Sequence, residues 1–145
     1  MRRKAGIRRI AVATALLCGC GYFGNWVREH RSPTITGAQF RSLAVILGTV
    51  DLSTTMLADQ IEQELADTGL TIVPRPGRWR SEVEALEEIC PLGAPPPVDG
   101  VLFVWPDRLQ VRDCRTHAMA YEVQSERART EELVKRLSRY LGDGP

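Results

Sequence analysis

Apolar and polar positions change rhythm several times along this chain. Ser42 to Val50 reads Ser-Leu-Ala-Val-Ile-Leu-Gly-Thr-Val, a near-continuous apolar run that predicts a strand buried on both faces. From about Thr54 to Thr68 the period lengthens. Leu57, Ile61 and Leu65 recur every fourth position, with Gln60, Glu62, Gln63 and Asp67 facing water, as an amphipathic helix requires. Asp51 and Ser53 offer N-caps to it, and Gly69 a left-handed stop. Leu70-Thr71-Ile72-Val73 then reads as a short strand halted by Pro74 and Pro76. Strand, helix and strand at this spacing predict a parallel, right-handed βαβ unit.

The second half repeats these signals in another order. Ser81-Glu82-Val83-Glu84 has the form of a capping box, opening a helix with a thin stripe of Val83, Leu86, Ile89 and Cys90 that Pro91 ends. Pro91 to Val98 is rich in Pro and Gly and reads as an extended loop. Gly100 to Trp105 is a second buried strand, Pro106-Asp107 a turn, and Leu109 to Arg112 and Met119 to Val123 alternate as half-exposed strands do. Together they predict an antiparallel meander. A last helix, about Ala128 to Leu141, sets Leu133, Val134, Leu137, Tyr140 and Leu141 on one face. Its pairs Glu131–Lys135 and Glu132–Arg136 have the favourable order, and Gly142 follows as the expected stop. The expected fold is a single α/β (α+β) domain over residues 41–142, in the order β-α-β-α-β-β-β-α, with helices packed on a mixed sheet and a short tail at 143–145.

Ahead of the domain the pattern is of another kind. Met1-Arg2-Arg3-Lys4, Arg8 and Arg9 precede a short apolar run from Ile10 to Leu17, which is the build of an export signal. A membrane-spanning helix needs roughly 17–25 apolar residues, and this run is interrupted sooner. Leu17-Cys18-Gly19-Cys20 resembles the bacterial lipobox, with Cys18 where Ala or Ser is usual. The resemblance implies a signal peptide over residues 1–19, cleavage before Cys20, and lipid on Cys20. It also implies a membrane-anchored envelope protein facing the periplasm, and Gly21 is not the Asp that would suggest inner-membrane retention. Residues 20–40 read as anchor and tether, with Tyr22, Phe23 and Trp26 suited to the membrane boundary or to packing on the domain. Twenty residues fully stretched would reach about 70 Å.

The element order loosely resembles the small α/β domains of envelope lipoproteins such as the curli-secretion lipoprotein and the N-terminal domain of the Tol-system β-propeller protein. Leu43-Ala44-Val45-Ile46-Leu47, the helix with Leu57, Ile61 and Leu65, and Asp99-Gly100-Val101-Leu102-Phe103-Val104 carry that resemblance. It implies a periplasmic assembly or recruitment role, with the outer membrane as location where the host has two. The chain lacks the alternating amphipathic segments of a curli-type barrel, so pore formation does not carry over.

Charge changes the picture once the signal is removed. Five of the 19 basic residues leave with it, so 14 remain against 18 acidic ones, a net charge of −4. Such a chain has no basic footprint for nucleic acid. Cys18 leaves as well, and Cys90 and Cys114 remain. In an oxidising compartment they suit a disulfide; two separate thiols, or a metal site with His117 from Cys114-Arg115-Thr116-His117, are the alternatives.

Chemistry-bearing patterns are sparse. Neither a G-x-S-x-G elbow nor a nucleotide-binding glycine loop is present, so no cofactor is expected. The acidic run Glu84, Glu87 and Glu88 reads as a solvated helix face. Arg75, Arg78, Trp79 and Arg80 form a small basic and aromatic patch fit for a phosphate, a wall carboxylate or an acidic partner; their plainer role is to pair with Glu82 and Glu84 and dock Trp79 on the core. Trp105 beside Pro106-Asp107-Arg108 is a candidate partner anchor. A rival hydrolase of envelope polymers would need a pair of carboxylates brought together by the fold, two of Asp99, Asp107 and Asp113 in one cleft. The expected function is therefore a binding, scaffolding or assembly module held to the membrane by lipid on Cys20, with an envelope protein or cell-wall partner.

Overall fold

The computed structural model describes residues 26–74, 79–127 and 129–142. They form the expected α/β domain, a mixed sheet with helices on both faces. The strands are β1 (Arg28–Arg31), β2 (Ser42–Leu47), β3 (Thr71–Pro74), β4 (Gly100–Trp105), β5 (Arg108–Asp113) and β6 (Met119–Gln124). The helices are α1 (Leu52–Ala66), α2 (Glu82–Ile89) and α3 (Thr130–Gly142), with a 3-10 turn at Gly37–Gln39. Across the sheet the order is β1-β6-β5-β4-β2-β3. β2 runs parallel to β3 and to β4, while β4, β5, β6 and β1 pair antiparallel in succession.

The apolar runs of β2 and β4 pair in the middle of the sheet, where both faces are covered. One face packs on α1 and α3: Leu57, Ile61 and Leu65 meet Leu133, Leu137 and Tyr140 over Val45, Leu102, Val104, Leu109, Val111, Tyr121 and Val123. The other face carries Ala44, Ile46, Val101 and Phe103 beneath Ala85, Leu86 and Ile89 of α2. Asp51 caps α1 as expected, accepting from the Thr54 N–H, and Gly69 has the positive φ of a left-handed stop. The Ser81 hydroxyl accepts from the Glu84 N–H. The Glu84 carboxylate, however, reaches back to the Arg80 N–H, one residue beyond the Ser81 N–H that a capping box would use.

Several expectations are corrected. Residues 28–40, expected within a tether, belong to the fold. Arg28–Arg31 is the edge strand beside β6, and Phe40 is buried in the main core. A stretch reading Arg-Glu-His-Arg has no apolar alternation, because an edge strand exposed along its length needs only its backbone partner. Val83 is exposed, since α2 turns Ala85, Leu86 and Ile89 to the sheet and leaves Val83 on its flank. Gly142 is the last helical residue and not the stop after it. The signal segment, Cys20, Tyr22 and Phe23 lie outside the described residues.

The strand β1 is fastened to α3 by a polar clasp. The Glu29 carboxylate accepts from Arg31 at 3.0 and 2.9 Å and from Arg136 at 2.9 Å. Arg136 in turn donates to Glu132 one helical turn back. Beneath it the rings of Tyr121 and Tyr140 stack with centroids 4.3 Å apart, and the Arg31 guanidinium lies 5.8 and 5.5 Å from them.

Candidate binding face

Strand register turns one face of the sheet into a gradient. Ile46, Phe103, Gln110, Glu122 and His30 stand opposite one another across β2, β4, β5, β6 and β1. The apolar end of that row lies under α2. Past Phe103 the row is polar, and its neighbours Arg108, Arg112 and Met119 share that face.

The polar half is tied together by its own side chains. Gln110 is the buried hinge: its amide donates to Glu122 at 2.8 Å and accepts from Arg112 at 3.1 Å. Arg112 also donates to the His117 carbonyl at 3.3 Å. Glu82, the first residue of α2, lies 3.6 Å from Arg108 and 3.7 Å from Arg112. Arg108 sits 3.8 Å above the Trp105 ring and 3.8 Å from Glu122. These contacts differ in strength. The Gln110 bonds are short and part-buried, whereas both ion pairs of Arg108 are long and about one-third exposed, the class worth roughly 0–1 kcal/mol. Arg108 can therefore exchange Glu82 or Glu122 for an incoming carboxylate at little cost, with its guanidinium still stacked on Trp105.

The expected site residues divide. Trp79 and Trp105 both pack against the cluster that holds Phe103, and the Trp79 indole donates to Glu88 at 2.7 Å. Trp79 is thus docked on the core. Arg80 is exposed, and its backbone N–H serves Glu84. Arg75 and Arg78 lie outside the described residues. Of the acids expected beside that patch, Glu84 accepts from the Arg80 N–H, and Glu82 lies near Arg108 and Arg112. Those two arginines were missed as a pair in the sequence. Their spacing on an alternating strand, Arg108-x-Gln110-x-Arg112, was the available signal.

Cys90 and Cys114 form a disulfide, which leaves neither as a metal-binding thiolate. His117 is held beside it, its Nε2 at the Cys90 carbonyl. Among the described residues no cluster of His, Cys, Asp and Glu could hold a metal ion. Asp99 and Asp113 lie at the same end of the β4–β5 pair, but each carboxylate is engaged by its own local donors. Asp99 accepts from the backbone N–H groups of Arg41 and Ser42 at 2.8 and 3.1 Å, and Asp113 from the N–H and hydroxyl of Thr116. Asp107 lies at the other end of the β4–β5 hairpin, a strand length of about 20 Å away. Among the described residues no helix is long and apolar enough to cross a membrane. No family model matches this chain, and no curated protein matches it.

Proposed function

We propose that this protein is a lipid-anchored module of the bacterial envelope that recruits a carboxylate-bearing protein or wall polymer through Trp105 and Arg108. The observation that carries the recruiting role is the exchangeable position of Arg108, stacked on an indole and only loosely paired with Glu82 and Glu122. The anchoring role rests on the lipobox-like Leu17-Cys18-Gly19-Cys20. A bound lipid raises the local concentration of the domain around a membrane-held or wall-held partner, so modest affinity at one face suffices. The absence of Asp at Gly21 and the resemblance to envelope lipoproteins favour the outer membrane where the host has two.

The test is a cross-linking capture from the native host with the wild type, Arg108→Gln and Cys20→Ala. The wild type should capture one dominant envelope component. Arg108→Gln, with an unchanged thermal midpoint, should lower that capture at least about tenfold, the equivalent of 1.4 kcal/mol. Equal capture by wild type and Arg108→Gln would remove Arg108 from the recruiting site.

A further inference from the structure

The strand directions bring one end of every strand to a common edge. β2, β3 and β4 finish there at Leu47, Pro74 and Trp105; β5 begins there at Arg108, β6 ends at Gln124 and β1 begins at Arg28. The β2–α1 loop lies on it, as the Gly48 N–H bond to the Val104 carbonyl shows, and so does the start of α2, through Glu82 and Arg108.

Three features gather at this edge. First, it holds most of the exposed apolar surface. Among the described residues the exposed large apolar side chains are Trp26, Val50, Leu52, Met56, Val83 and Leu92. Val50, Leu52 and Met56 lie at the start of α1, Val83 in the first turn of α2 across the sheet, and Trp26 two residues before β1. Only Leu92, following α2, belongs to the far edge. Second, two of the chain's three tryptophans, the exposed Trp26 and the half-buried Trp105, lie at this edge, and indole favours the membrane–water boundary. Third, the chain enters here. Cys20 and Trp26 are six positions apart, a reach of at most about 21 Å, where a tether running to residue 40 would have allowed far more. The opposite edge is a further strand length away.

We propose that this edge rests on the bilayer surface, with Val50, Leu52 and Met56 on one side of the sheet and Val83 on the other dipping among the headgroups. The inference rests on lipid attachment at Cys20. It leaves the polar face of β5 and β6 standing roughly perpendicular to the membrane, with Arg108 close to it, so a partner engaging Arg108 is itself held near the membrane.

The test uses the full-length acylated protein in vesicles of phosphatidylethanolamine and phosphatidylglycerol. Leu52→Cys, Val83→Cys and Leu92→Cys each receive an environment-sensitive fluorophore; Cys90 and Cys114 are joined in a disulfide and Cys20 is blocked by its lipid in the acylated protein, so only the introduced thiol reacts. Nitroxide lipids should quench the labels at positions 52 and 83 at least twofold more than the label at 92. Equal quenching at all three, in protein whose mass shows acylated Cys20, would overturn the edge contact while leaving the anchor intact. An unmodified Cys20 and no retention by vesicles would overturn the anchor, and this inference with it.

Discussion

The indole of Trp105 lies flat across Gly48, so closely that a Cβ on Gly48 would collide with the ring at Nε1, Cε2 and Cδ1. The glycine is needed for its missing side chain and not for unusual backbone angles. Gly48→Ala should therefore lift Trp105 away from both Phe103 and Arg108, since the same ring stacks on Phe103 at 5.8 Å and carries Arg108 at 3.8 Å. We expect a loss of about 1–3 kcal/mol, as for other overpacked sites, with a red shift of tryptophan emission before unfolding. Urea denaturation followed by fluorescence checks both. An unchanged midpoint and spectrum would show that the loop absorbs the methyl group.

The disulfide supports the weaker of the two cores. Cys90 ends α2 and Cys114 follows β5, and the bond closes a separation of 24 residues. Loop entropy alone assigns such a crosslink about 3 kcal/mol. The double variant Cys90→Ala, Cys114→Ala should lose roughly that much, and hydrogen exchange should rise first in α2, whose buried face is only Ala85, Leu86 and Ile89. Loss confined to α1 or α3 would contradict this division of the core.

The parts of the fold that were legible in the sequence are those whose partners impose a period. β2 and β4 are covered on both faces and read as unbroken apolar runs; α1 and α3 each bury one stripe and show it. β1 was illegible because an exposed edge strand owes its conformation to β6, more than eighty residues away. The same holds for the binding face. Trp105 stood out by residue type, but Arg108, Gln110, Arg112 and Glu122 meet only through register, and Glu82 reaches them because a second helix lies across the sheet. Asp99 and Asp113 looked like candidate acids for the opposite reason: their backbone partners, contributed by Arg41, Ser42 and Thr116, cannot be inferred from residue type.

The clasp on β1 sets pH limits on both sides. For Glu29 burial opposes ionisation, but hydrogen bonds from Arg31 and Arg136 prevail and hold its carboxyl below the ordinary value of 4.5. A depressed folded-state value means that its contribution is present above the ordinary glutamate range and disappears as pH falls through it. The contribution is under about 1 kcal/mol for so exposed a group. At the alkaline end, burial pushes Tyr140 up to about 12 and drives Tyr121 higher still, with the Glu29 charge adding to burial. Among the described residues the Tyr121 hydroxyl has no partner at hydrogen-bonding geometry, although Glu29 lies close enough to act on it. Raised values reverse the sign: stability is intact below the ordinary phenol value of 10 and falls as pH climbs beyond it. Thermal midpoints across pH should show both declines, and Glu29→Gln should flatten the acid limb. An acid limb identical in Glu29→Gln and wild type would assign it to other carboxylates.

Gly37 makes the sharpest test of how residues 28–40 join the domain. It opens the 3-10 turn, and a Cβ there would strike the backbone carbonyl of Tyr140 and approach the Leu141 Cα. Unlike the indole over Gly48, a helix backbone cannot rotate aside, so the turn and α3 must separate. Gly37→Ala should cost about 1–3 kcal/mol or more, and it should also weaken the Tyr140 hydroxyl contact with the Ile35 carbonyl at 3.4 Å. The effect should spread along the chain toward β1, since the turn and the Glu29–Arg136 pair both fasten that strand to α3. Amide exchange in residues 28–40 and in the second half of α3 should accelerate together, while exchange in β2 and β4 stays at the wild-type rate. Faster exchange in residues 28–40 with α3 unaffected would mean that the N-terminal strand is held by β6 alone.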